Sequence, residues 1–247
     1  MSRKTQSKQP GAQAAQAPSP TAPASTSTTP AGPASRRGLL AAAGAAVLLA
    51  GGGGVYMIFG RGPTAAEQAA RRLGLASEHA PTLGDATAKV HIVEFLDPAC
   101  ETCAAFYPLV KRILADNPNK IRLSLRHVPL HRGSEDVVRM LEASRKQDKY
   151  WQTLEALLAS QGQWAPNHTA QPALAQQALA SVGLNMTQLL ADMRAPEVDQ
   201  RMAQDSRDAR QLDVTKTPEY FVNGRQMPSF GRQQLQDLIR DELRRAY

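Results

Sequence analysis

The chain is 247 residues long with a formal net charge of +7, enough for one sizeable domain with its own core plus appendages. The charge excludes more than it suggests. Arg3, Lys4, Lys8, Arg36 and Arg37 stand in residues 1–60 without a single acid, leaving 24 basic against 22 acidic residues, or +2, for residues 61–247. A nucleic-acid surface needs Lys and Arg clustered on the folded part, so no nucleic-acid partner is expected.

Residues 1–37, rich in Pro, Ala, Ser, Thr and Gln without apolar periodicity, read as a disordered cytoplasmic tail. Residues 38–60 carry no charge and are long enough to cross a bilayer core as one helix. The basic excess before them and the single Arg61 just after them predict a single-pass anchor in a bacterial inner membrane. The N-terminus is then cytoplasmic and the rest periplasmic or otherwise extracytoplasmic. Ser35-Arg36-Arg37-Gly38-Leu39-Leu40 resembles a twin-arginine export motif, a rival route to the same compartment. Residues 61–80 read as a linker with a short helix started by the capping box Thr64-Ala65-Ala66-Glu67.

The apolar, β-branched run Val90–Leu96 predicts a buried strand. A helix is expected from about Cys100, with Phe106, Leu109, Val110, Ile113 and Leu114 forming a core-facing stripe. Ile121, Leu123 and Leu125 alternating with Arg122, Ser124 and Arg126 predict a second strand with one polar face. Residues 134–212 read as a helical block, capped at Ser134 and divided by turns at 162–167, Gly183 and Pro196. Glu219–Val222 reads as a strand, Asn223-Gly224 as a hairpin turn, and 232–245 as a closing amphipathic helix. The fold class is α/β, βαβ first, then helices, then hairpin and helix.

The only two cysteines are Cys100 and Cys103, a C-x-x-C placed between strand and helix. There the free N–H groups and the macrodipole favour a thiolate at Cys100, with Cys103 one turn further in as the resolving thiol. A c-type haem is excluded because position 104 is Ala. Zinc needs two more ligands. His127 and His131 have the nearest spacing, but one ends a strand and the other follows Pro129. A disulfide across so short a loop is a poor staple.

The segments Val93-Glu94-Phe95-Leu96-Asp97-Pro98-Ala99-Cys100-Glu101-Thr102-Cys103, Arg126-His127-Val128-Pro129-Leu130-His131, Lys149-Tyr150-Trp151 and Val214 to Gly224 together resemble the DsbA-like thiol–disulfide oxidoreductases, of the membrane-anchored subgroup, from about Pro81 to Ile239. The resemblance implies a thioredoxin-like fold over 81–247 with a helical insertion at about 134–212. It also implies a cis peptide before Pro218, with the Thr217 backbone offered to substrate, and a proton-relay role for Glu94. No cofactor is expected beyond the redox-active pair Cys100–Cys103. The partners implied are cysteine-containing exported proteins and a membrane or extracytoplasmic redox partner. Disulfide formation is the expected activity, with reduction, isomerisation or client binding with incidental redox as the rivals. Between the cysteines, Glu101 and Thr102 replace the His-bearing pair of the strong oxidants. A carboxylate beside Cys100 opposes its thiolate, so a milder redox poise is expected.

Overall fold

The computed structural model describes Leu75 and residues 77–247. The expected tail, membrane segment and capping-box helix lie outside the described residues. Among those described, no helix is long and apolar enough to cross a membrane.

The expected βαβ unit is present. Strand β2 (Val90–Leu96) runs into helix α1 (Glu101–Asp116), which returns to strand β3 (Ile121–His127), and β2 and β3 pair in parallel from Val90↔Ile121 to Leu96↔His127. In front of it lies a strand the sequence did not announce, β1 (Thr82–Gly84), antiparallel to β3. Gly84 permits this close approach: it sits at φ +105°, and a Cβ there would meet the Ile121 carbonyl oxygen at 2.5 Å.

Helices α2 (Ser134–Ser144), α3 (Tyr150–Ala159), α4 (Gln161–Trp164), α5 (Pro172–Ala178), α6 (Met186–Asp192) and α7 (Pro196–Gln211) make up the insertion. Two expectations are corrected here. Gly133, at φ +78°, is the N-cap of α2, and the Ser134 hydroxyl is spent on Asp97. Gly162 lies inside α4, and the chain turns after it, where Asn167 and His168 take positive φ. Strands β4 (Glu219–Val222) and β5 (Arg225–Gln226) then form the hairpin, with Asn223 and Gly224 both at positive φ as a tight primed turn requires. Helix α8 (Arg232–Ala246) closes the chain.

The sheet order is β1-β3-β2-β4-β5, so β2 is central and covered on both faces. Ile92 and Leu96 join Cys103, Phe106 and Val110 of α1, Leu235 and Ile239 of α8, and Leu141, Leu154 and Trp164 of the insertion in one apolar cluster. Val93 and Phe95 pack on the other face with Ala209, Leu212 and Phe221. The insertion therefore shares the main core. Because both faces are covered, most of the polar face expected of β3 is also buried: Ser124 and Arg126 are buried, and Arg122 is half-buried.

Candidate active site

Cys100 is the N-cap of α1, in extended conformation (φ −76°, ψ 113°), and Cys103 lies in the helix's first turn. Both are free thiols and nearly enclosed, at 4% and 0% exposure. The Thr217–Pro218 peptide is cis, and the Thr217 carbonyl accepts a hydrogen bond from the Cys100 Sγ at 3.2 Å.

The environment drives the two sulfurs apart. Cys100 is held down to about 5. The Cys103 thiol donates to it, outweighing the effect of burial, with help from the Thr217 side chain and the backbone N–H groups of Cys103 and Thr102. These are the orphan donors of a helix start, turned on a sulfur. Cys103 is pushed well above its ordinary value, first by burial, then by its bond to Cys100 and the nearby charge of Glu94.

Glu94 reaches this pair from β2, opposite Tyr220 of β4. Its side chain is fully buried, and neither its oxygens nor the Tyr220 hydroxyl has a hydrogen-bond partner. Burial lifts its carboxyl to about 8. The nearby Tyr220 hydroxyl pulls the other way, and the Cys100 charge adds a smaller rise. A carboxyl poised near neutrality beside a thiol can exchange a proton with it.

Glu101 departs from expectation. Its side chain is 58% exposed and turned towards His168, whose Nε2 lies 3.8 Å from its carboxylate. The hydrogen bonds above, rather than this neighbour, govern the thiolate of Cys100. Thr102 acts through its backbone amide. His127 and His131 are committed to different partners, Tyr150 at 2.9 Å and Asp97 at 2.6 Å. Among the described residues, no group of three or more His, Cys, Asp or Glu side chains could hold a metal ion.

Two site residues escaped the sequence reading. Asp97 is buried beneath the turn that carries Cys100, and its carboxylate gathers donors from Ala99, Leu130, His131 and Ser134. Its only sequence signal is an Asp-Pro turn start. Gln161, from α4, donates to the carbonyls of Pro98 (2.7 Å) and Cys100 (2.9 Å), and nothing in the sequence marks it. Beside the cis peptide a cleft of about 520 Å³ is lined by Thr215, Lys216, Glu219, Met227 and Phe230 among others.

A cysteine pair with opposed acidities, at the strand-to-helix turn of a thioredoxin-like sheet and facing a cis proline, defines a thiol–disulfide oxidoreductase. The comparisons agree. The family model described as thioredoxin matches residues 76–241, and the chain belongs to that family. A thioredoxin-like oxidoreductase from Silicibacter pomeroyi DSS-3 is 33% identical, with a TM-score of 0.62 over 71% of this chain and 99% of that one. BdbD from Bacillus subtilis, in its oxidised form, is 23% identical and shares the fold, with a TM-score of 0.59 over 67% of this chain and 93% of that one. Among curated proteins, Na(+)/H(+) antiporter NhaA 1 of Salinispora arenicola is 33% identical over 146 residues, 58% of this chain and 21% of the antiporter. The chain spans about a fifth of the length of the curated relatives it matches.

Proposed function

We propose that this oxidoreductase works outside the cytoplasm, held at a bacterial membrane by residues 38–60, and donates disulfide bonds to exported cysteine-containing proteins. The observation that carries donation is the set of donors gathered on the Cys100 sulfur, the Cys103 thiol and the backbone N–H groups of Cys103 and Thr102, which holds its pKa at about 5. A stabilised thiolate favours the reduced form of the pair and makes its disulfide a stronger oxidant. A value of about 5 lies between the roughly 3.5 of the strongest oxidant and the roughly 7 of thioredoxin, so it leaves room for the milder poise expected from Glu101. Placement at the membrane rests on the basic tail before an uncharged stretch; twin-arginine export would deliver the same domain.

In the donation step, a client thiolate lies across the cleft against the Thr217 backbone and attacks the Cys100 sulfur of the oxidised pair. The S–S bond breaks, Cys103 leaves as a thiolate, and Glu94 supplies its proton. A second client thiolate then attacks the client sulfur of the mixed disulfide. The client disulfide forms, and Cys100 leaves as a thiolate with the two electrons now on the enzyme pair. Pro218 shapes the client-facing turn. An extracytoplasmic or membrane redox partner restores the disulfide, and no cofactor enters.

The test separates the sulfurs. Cys103→Ala should accumulate mixed disulfides with exported proteins, and Cys100→Ala should not, because the innermost sulfur is out of clients' reach. Equal trapping by both variants would overturn the assignment. A reduction potential near the thioredoxin end of the scale, about −270 mV, would replace donation by reduction.

A further inference from the structure

Asp97 is fully buried, and everything around its carboxylate donates to it. Oδ1 accepts the Ala99 N–H at 2.8 Å and the Ser134 hydroxyl. Oδ2 accepts the N–H groups of Leu130 (2.7 Å) and His131 (2.9 Å) and the His131 Nδ1–H at 2.6 Å. The main chain of Asp97 faces the chemistry itself. Its carbonyl accepts the Cys100 N–H at 3.0 Å, and its own N–H favours the thiolate of Cys103. One residue thus ties the loop that enters the insertion to the turn that carries both sulfurs. Gln161 holds the same turn by its carbonyls, at Pro98 and Cys100.

His131 differs from the other donors. The two backbone N–H groups belong to the loop, whereas the imidazole is a replaceable side chain. It lies against His168 with ring centroids 4.9 Å apart and 19° between planes, and His168 in turn faces Glu101. A buried carboxylate with this many donors has its orientation over-determined. Removing the imidazole leaves Oδ2 with two of its three donors and lets the turn shift.

We infer that Asp97, braced by the His131 imidazole, is a positioning residue for the dithiol, fixing the turn 97–100 so that the backbone donors stay aimed at both sulfurs. The inference rests on the thiol–disulfide reading of the site. Loosening the brace withdraws those donors from Cys100 and Cys103, so the thiolate becomes less favoured and the disulfide less oxidising.

The experiment is a glutathione redox titration, with the Cys100 thiolate followed by ultraviolet absorbance, on the wild type, His131→Leu and His131→Asn. In His131→Asn the side-chain amide N–H can occupy the place of Nδ1–H. His131→Leu should lower the exchange equilibrium constant about tenfold, equivalent to about 30 mV, and move the thiolate titration to higher pH. His131→Asn should return both towards the wild type. Asp97→Ala should shift both further if it folds; the His131 variants decide if it does not. A lowered melting temperature with unchanged equilibrium and titration in both His131 variants makes Asp97 merely structural and overturns the inference. So does a shift in His131→Leu that His131→Asn fails to reverse, since ring packing on His168 would then be its cause. Failure of the wild type to exchange with glutathione at all fails the oxidoreductase reading itself, and the inference with it.

Discussion

Glu94 and Glu142 are both buried carboxyls, at 0% and 2% exposure, and their chemistry runs in opposite directions. Glu142, on α2, has the His127 ring nitrogen at 3.2 Å, the Arg145 guanidinium at 2.9 Å and that of Arg201 at 2.5 Å. Burial alone would raise it, but His127, Arg145 and Arg201 bring it down to about 2. Glu94 has no cation beside it, only the Tyr220 hydroxyl near its carboxyl, and rises to about 8. Asp205 and Asp208 repeat the paired pattern on the other side of the sheet, where they hold the buried Arg126 at 2.6 and 2.5 Å. Burial is common to all these groups, so burial does not make a reactive group. The missing partner does, and Glu94 lies on the face that carries the cysteines.

The largest effect that could break this contrast lies in the paired set. Arg126→Leu leaves Asp205 and Asp208 without their shared guanidinium, the arrangement that costs about 3–5 kcal/mol when one partner of a buried pair is removed. Urea unfolding should show a loss of that order, while the thiolate titration of Cys100, on the opposite sheet face, should not move. A loss under about 1 kcal/mol would mean that water or relaxation replaces the pairing.

Next comes the unpaired carboxyl. In the unfolded chain Glu94 releases its proton near 4.5, and in the folded one it keeps it to about 8. Between those values the folded state binds more protons, so this residue lowers stability progressively as pH rises from about 4.5 to 8. Glu94→Gln removes that dependence and should stabilise the protein by roughly 2–3 kcal/mol at pH 7. The same variant should slow disulfide exchange by about a hundredfold, the scale of a lost proton-transfer group. Greater stability with unchanged exchange kinetics would remove Glu94 from the chemistry.

Glu142 supplies the opposite limb. Its folded value is depressed, so its contribution is fully present above about 4.5 and is lost as pH falls towards 2. Two of its cations keep partly exposed side chains, and solvent screening trims the effect to about 2 kcal/mol. Acid unfolding of Glu142→Gln should lack this limb. An unchanged acid transition would place the sensitivity in another carboxylate.

What was legible in the sequence divides along the same line. Strand β2, helix α1 and the C-x-x-C between them were readable because each is a local pattern of apolar spacing or turn chemistry. The hairpin at Asn223-Gly224 was readable for the same reason. Strand β1 was not: three residues carry no periodicity, and its pairing partner lies about 40 residues on, at Thr82↔Ser124. Arg126 looked like part of a solvated face because alternation in β3 is local, whereas Asp205 and Asp208 lie 79 and 82 residues away. Asp97 was missed similarly, since its donors Leu130, His131 and Ser134 arrive from the far end of the βαβ unit. The unpartnered state of Glu94 could be suspected from an acid in an apolar strand, but it becomes visible only once every neighbour is placed.

The smallest expected effect concerns Glu101, where sequence and structure part most sharply. Adjacency to Cys100 suggests a carboxylate pressing on the thiolate, and replacing it with His should then lower the thiol's pKa and raise the potential. The structure places the two on different sides of the helix start. Cys100 is enclosed among Cys103, Thr217 and backbone amides, while the Glu101 side chain is 58% exposed and faces His168. Exposed charges act through water and salt, where Coulomb energies between neighbours fall to about 1 kcal/mol or less. Glu101→His should therefore shift the potential by well under about 30 mV, the equivalent of a tenfold change in exchange equilibrium. Whatever shift remains should shrink between low salt and 0.5 M salt, because screening removes an exposed contribution and spares a buried one. The measurement is a glutathione titration at both ionic strengths. A salt-insensitive shift of tenfold or more would put the Glu101 charge inside the thiolate's shell and return control of the redox poise to the dipeptide.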